Sequence, residues 1–245
     1  MSSVSGQDWQ RLLAAQRAIQ QHFPDLVLVG GTASALHVGH RFSLDGDHVL
    51  TDLRSSFEHV VESLEELSGW KTVRLSPPVM ILGSFDGVET GIRQLRRAEP
   101  LETETIAGLQ VPTLAEMTRV KGWMVVTRNA TRDYLDFAAL SAKLGDGFVG
   151  AMSSMDRLYP QETGETALRQ LAKQLAEPKP YDLGDPKTLG QRFRGLEQPW
   201  QDWEFVSSYS RKLAQTLMDY TLGVSELEEG WDAPSSPEPR SGPDL

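Results

Sequence analysis

The chain has 245 residues, of which 39% are hydrophobic and 24% charged, enough for one large domain or two small ones. Its formal charge of −10 argues against nucleic acid held by bulk electrostatics, while a local basic site stays open. The absence of cysteine excludes disulfides, thiolate nucleophiles and Cys-ligated metal centres. No basic segment followed by an apolar core opens the sequence, and apolar runs such as 26–29 (LVLV) are far too short to span a bilayer. The expectation is a soluble, cytoplasmic protein with no membrane partner.

In chain order, residues 8–23 set Trp9, Leu12, Leu13, Ile19 and Phe23 near one face, which predicts an amphipathic helix stopped by Pro24. LVLVG (26–30) predicts a short buried strand. Gly30-Gly31 breaks it, and Thr32-Ala33-Ser34-Ala35 opens a helix. Residues 47–52 predict a second strand. Ser55 or Ser56 then caps a helix whose Phe57, Val60, Val61, Leu64 and Leu67 share one face. Strands are predicted at 70–75, 79–85 and 88–96, with Asp86-Gly87 as a hairpin turn.

The second half reads as helical. Thr113-Leu-Ala-Glu116 is a capping-box pattern, and its helix runs to about Arg128. Asn129-Ala130 is a break before Thr131, a second cap, and a helix carrying Tyr134, Leu135, Ala138, Ala139 and Leu140. Further helices are predicted at 163–176 and 199–221, with Pro199 in the first turn of the last. Residues 223–245 hold four prolines and six acids against one base, and predict a disordered acidic tail. The expected class is α+β: a mixed-sheet core with flanking helices over 1–112, a helical domain over 113–222, then the tail.

Three constellations carry candidate chemistry. Gly30-Gly31-Thr32 joins a strand to a helix N-terminus, whose unpaired N–H groups and positive dipole suit phosphate; a double glycine at a strand end is, though, usually just a turn. Asp45-Gly46-Asp47 enters a strand, so its two carboxylates share a face; the same residues also read as a polar turn. Paired carboxylates repel unless a cation neutralises them, and oxygen ligands favour Mg²⁺ or Mn²⁺. Arg41 and Ser43 precede them, placed to orient the acids or touch phosphate, or simply solvated. Lys121 and Arg128 share a helix face, followed by Arg132, Asp133 and Asp136, which read either as catalytic groups or as structural ion pairs. The histidines, His22, His37, His40, His48 and His59, show no metal-ligand spacing. No G-x-S-x-G or Walker A motif is present.

LVGGTASALHVGHRFSLDGDHVLTDL and, some seventy residues on, VPTLAEMTRVKGWMVVTRNATRDYLDFAAL together resemble the nucleotidyltransferase AbiEii/AbiGii toxin family, within the DNA polymerase β-like superfamily. The resemblance covers roughly residues 20–145. It implies a nucleotidyltransferase-like core and transfer of a nucleoside monophosphate from an NTP to a hydroxyl on RNA or protein. It also implies a toxin role with an antitoxin partner. By that resemblance Gly30, Gly31 and Thr32 hold the triphosphate, with Arg41, Ser43, Arg128 and Arg132 lining it. Asp45 and Asp47 bind Mg²⁺ (or Mn²⁺), Lys121 contacts phosphate, and Asp136 completes the site. The superfamily usually carries a third metal-binding aspartate on a later strand. The matching position here is near Gly91, so Glu89 or Asp136 would have to substitute. A degenerate nucleotide-binding or protein-interaction module is the alternative. The chain's acidity does not weigh against phosphate as it first seems to, because residues 92–132 hold seven bases against four acids.

Overall fold

A computed structural model describes residues 6–162 and 164–223. Helix α1 (Gly6–His22) buries Leu12, Leu13, Gln16, Ile19 and Gln20, the one-face spacing expected. It leads into β1 (Val27–Val29), α2 (Gly30–Val38), β2 (Gly46–Leu50), α3 (Leu53–Glu65), β3 (Trp70–Ser76), β4 (Met80–Phe85) and β5 (Val88–Gln94). These strands form one sheet of order β1-β2-β5-β4-β3, in which only β2 and β5 run parallel. The α+β class therefore stands.

Register decides what each sheet face carries, because opposed residues point the same way. Leu28, His48, Ile92 and Ile81 are mutual partners across four strands and are all fully buried. Leu28, Ile81 and Ile92 pack with Leu12 and Ile19 of α1 and Phe57, Val60 and Leu64 of α3. Burying each such aliphatic side chain contributes about 1.5–3 kcal/mol. Val29, Asp47, Gly91 and Leu82 form the parallel row on the other face. There Val27, Val29, Asp47 and Val49 are only half-buried.

A second hairpin, β6 (Thr103–Ile106) with β7 (Leu109–Pro112), escaped the sequence reading. Its turn, Ala107-Gly108, has positive φ at both positions (51° and 74°). Alanine disfavours that conformation, which is why the turn signal was weak. Helix α3 also starts earlier than expected. Ser55 and Ser56 do not cap it; their hydroxyls donate to the Asp52 carbonyl.

The helical half comprises α4 (Leu114–Arg128), α5 (Thr131–Leu144), α6 (Phe148–Met152), α7 (Met155–Leu158), α8 (Ala167–Ala176), α9 (Leu189–Arg192) and α10 (Trp203–Thr221). Only half of the expected capping box forms. The Thr113 hydroxyl accepts from Glu116 N at 3.2 Å. The Glu116 carboxylate instead takes the Arg97 fork (2.8 and 3.0 Å) and Arg119 (3.0 Å). Thr131 lies inside α5 rather than capping it. The cap comes from far along the chain: Asp182 Oδ1 accepts from Thr131 N and Oγ1. Asp202 caps α10, so Pro199 lies ahead of that helix and not in its first turn. Tyr134, Phe137, Met152, Leu171, Leu175, Val206 and Leu217 centre a second core. Among the described residues no helix is long and apolar enough to cross a membrane. The expected tail, apart from Gly223, lies outside the described residues.

Candidate functional site

The turn from β1 into α2 shows why two glycines stand there. Gly30 has φ +72°, and a Cβ on it would lie 3.3 Å from Asp47. A Cβ on Gly31 would lie 2.6 Å from Arg41 Nη2 and 2.8 Å from Ser43 Oγ. Without those side chains, the N-terminus of α2 closes onto the aspartate loop. No side chain caps this terminus, so its first-turn N–H groups are not claimed by a cap.

Thr32 is fully buried and its hydroxyl donates to the Asp45 carbonyl at 2.6 Å. It therefore tethers the aspartate loop, and its hydroxyl proton is committed there. Ser43 Oγ donates to Asp45 Oδ1 at 2.7 Å and sets that carboxylate's orientation. Asp45 and Asp47 are both half-buried, Asp45 on the loop and Asp47 at the start of β2.

Arg41, Lys121 and Asp136 do meet, but within the protein. Asp136 is fully buried. Arg41 forks onto it (Nε–Oδ1 2.6 Å, Nη2–Oδ2 2.8 Å), His40 Nε2 donates to Oδ1 at 2.7 Å, and Lys121 Nζ sits 2.7 Å from Oδ2. Lys121 also reaches Asp133 Oδ1 at 3.3 Å. Burial alone would raise the Asp136 pKa. The charges of Arg41 and Lys121 and the hydrogen bonds from His40 and Arg41 outweigh it and hold the carboxyl ionised, well below its ordinary range. Burial keeps His40 below its ordinary value despite that hydrogen bond. Arg128 Nε lies 3.3 Å from Asp133 Oδ2, an ionic contact without hydrogen-bond alignment. Arg132 is exposed on α5, outside this network.

Two further contacts clasp the aspartate loop from the helical half. Phe42 N donates to Arg194 O, and Glu197 N to His40 O. Phe42 also meets Trp9 with ring centroids 5.8 Å apart. Farther along the sheet a cleft of about 410 Å³ opens, lined by Val27, Val49, Leu95, Pro100 and Leu101.

Gly91 is the register partner of Asp47 and supplies no carboxylate. Glu89 is exposed on the same face, opposite Ser84, and is not drawn into the pair. Among the described residues no group of three or more carboxylates or imidazoles could share a metal. The donor set still fits one hard cation, because Mg²⁺ is commonly held by one or two carboxylates with water and phosphate completing its shell. Sequence reasoning missed two participants. His40 was set aside for lack of metal spacing. Arg93 follows Gly91 by two on the same strand face, and its Nε lies 3.6 Å from Asp47 Oδ1. Strand alternation was the available signal for Arg93.

This sheet order, with a glycine turn and paired aspartates on its less covered face and a helical half behind, defines a nucleotidyltransferase-like fold. Two crystal structures from Helicobacter pylori share it. One is JHP933, with a TM-score of 0.53 and 17% identity, covering 90% of this chain and 98% of that one. The other is named as a proposed nucleotidyltransferase, with a TM-score of 0.53 and 15% identity, covering 91% and 100%. No family model matches the chain. By sequence, 98 residues are 41% identical to the heme uptake protein MmpL11 of Mycobacterium tuberculosis, which is 37% of this chain and 10% of that protein. Over 134 residues the chain is 31% identical to MmpL11 of Mycolicibacterium smegmatis, named a mycolic acid-containing lipids exporter; the match is 51% of this chain and 13% of that protein. The matches thus span about a tenth of these curated relatives.

Proposed function

We propose that the protein is a cytoplasmic, metal-dependent nucleotidyltransferase that moves a nucleoside monophosphate from an NTP to a hydroxyl on RNA or protein. The observation that carries this reading is the half-buried Asp45 and Asp47 at the N-terminus of α2, which has no side-chain cap: Thr32 and Ser43 hold Asp45, and Asp47 lies against Gly30. A Mg²⁺ or Mn²⁺ ion held by Asp45 and Asp47 would supply charge stabilisation for the triphosphate. The N–H groups from Gly30 and Gly31 onward present a positive dipole end to the same anion. Arg41, anchored on Asp136, fixes the loop from beneath, so the two carboxylates need little reorganisation on binding. The acceptor hydroxyl gives up its proton to water as its oxygen bonds to the α-phosphorus, the bond to the bridging oxygen breaks, and pyrophosphate leaves. The motif resemblance to AbiEii/AbiGii toxins extends the proposal to a toxin of a toxin–antitoxin or phage-defence pair, with an antitoxin as partner.

A second reading, a nucleotide-binding module without transfer, is favoured by the missing carboxylate at position 91 and by Arg93 beside Asp47. The test is incubation with each labelled NTP, Mg²⁺ and total RNA or cell lysate, comparing the natural protein with Asp47→Ala. Label transfer that vanishes in Asp47→Ala is the expected result. No Asp47-dependent transfer with any of the four nucleotides overturns the transferase reading.

A further inference from the structure

We propose that Arg93 is a direct polyphosphate-binding residue, its guanidinium standing beside Asp47 in the space that Gly91 leaves open. The identity of the anion as a nucleotide triphosphate rests on the reading above; the anion site itself does not.

The register places Asp47 opposite Gly91, and Arg93 lies two residues farther along the same face. A Cβ on Gly91 would sit 2.9 Å from Asp47 Oδ1 and 3.9 Å from Arg93 Nη2. Its absence keeps the gap between carboxylate and guanidinium open. On its other side, Asp47 Oδ2 is 3.3 Å from where a Gly30 Cβ would be. Asp47 therefore stands between the start of α2 and Arg93. An extended anion lying over it is met by N–H donors at one end and a guanidinium at the other.

Among the described residues Arg93 has no carboxylate partner besides Asp47. Its 3.6 Å approach to Asp47 is too long for a hydrogen bond, and the side chains are 46% and 33% exposed. A pair that loose and that wet holds little. Its Nη1 donates to Met80 Sδ, a weak acceptor. Arg41 differs, since its fork is spent on Asp136 inside the protein. A guanidinium with unspent planar donors suits phosphate oxygens. Asp45, Asp47 and exposed Glu89 put negative charge near this face, which a polyphosphate would otherwise meet unopposed. Arg93 supplies fixed positive charge there without a third carboxylate to hold a second cation.

The experiment titrates inorganic tripolyphosphate into the full chain by calorimetry, in EDTA and in Mg²⁺. It compares the natural protein with Arg93→Ala and Arg93→Lys, with thermal unfolding as a check on folding. The expected result is measurable binding in EDTA, weakened at least tenfold by Arg93→Ala, partly restored by Arg93→Lys, with unfolding temperatures nearly equal. Equal affinity of Arg93→Ala and the natural protein in EDTA overturns the proposal, as does no binding by the natural protein in EDTA. Failure of label transfer alongside Arg93-dependent tripolyphosphate binding defeats only the transferase reading. Asp47-dependent transfer with Arg93-independent binding defeats only this one.

Discussion

Replacing Asp136 with Asn tests whether the buried network is what fixes the aspartate loop to the helical half. The substitution keeps the shape but removes the charge that faces Arg41 and Lys121, which are 8% and 4% exposed. It also turns one acceptor into an amide donor pointed at other donors. Asp133 remains 3.3 Å from Lys121, and Asp45 and Asp133 still face Arg41 through their charge, but neither replaces the hydrogen-bonded fork. Removing one partner from a buried ion pair costs about 3–5 kcal/mol, because the desolvated cations are left uncompensated. At about 2–4 °C per kcal/mol for a protein this long, the unfolding temperature should fall by roughly 6–20 °C. The folded carboxyl's pKa lies below its ordinary 3.8. Its stabilisation is therefore present above about pH 4 and lost as pH falls through the folded value. The gap between variant and natural protein should shrink under strong acid. Urea unfolding followed by tryptophan fluorescence at pH 7 and pH 3 measures both effects. A loss below about 1 kcal/mol at pH 7 would refute the reasoning.

Three more outcomes follow from particular contacts. Gly31→Ala forces a methyl against Arg41 Nη2 and Ser43 Oγ; it should cost about 1–3 kcal/mol, and an unchanged unfolding temperature would show that the fork moves aside freely. Asp182→Ala removes both bonds onto the first residue of α5 and should cost about 1 kcal/mol, read by urea midpoint, with no change counting against Asp182 as the cap. His48 is fully buried, neither ring nitrogen has a partner among the described residues, and burial pushes its pKa down to about 3 from 6.5. Because the folded value is the depressed one, its stability contribution is complete above about pH 6.5 and drains as pH falls towards 3, by at most about 1.4 kcal/mol per pH unit. His48→Leu should flatten the stability curve between pH 6.5 and 4.5, leaving the slopes from His37 and His40, whose pKa values are also lowered by burial. An equally steep curve would contradict that account.

Local pattern carried much of the architecture because it records local forces. The apolar spacing of α1 and α3, the Asp86-Gly87 turn and the Thr113 cap each depend on residues within a turn or two of one another. The same locality explains the misses. Glu116 was assigned to its own helix end, yet Arg97 and Arg119 draw it away, since a buried carboxylate is better satisfied by two guanidiniums than by one backbone N–H. Thr131 looked like a cap because Asp182, fifty-one residues away, was invisible to any local rule.

The sequence by itself determined the alternation of strands and helices, the glycine turn and the aspartate pair, since φ freedom and two-residue alternation are properties of neighbours. Only the tertiary structure decided what those residues do to one another. It turned Thr32 into a tether, buried Asp136 and Lys121 around Arg41, and set Arg93 beside Asp47 across Gly91. The physical reason is that burial and the pairing of charges depend on which strands and helices meet. The parallel register of β2 with β5 and the packing of α4 and α5 against α2 are contacts between residues some forty to a hundred positions apart.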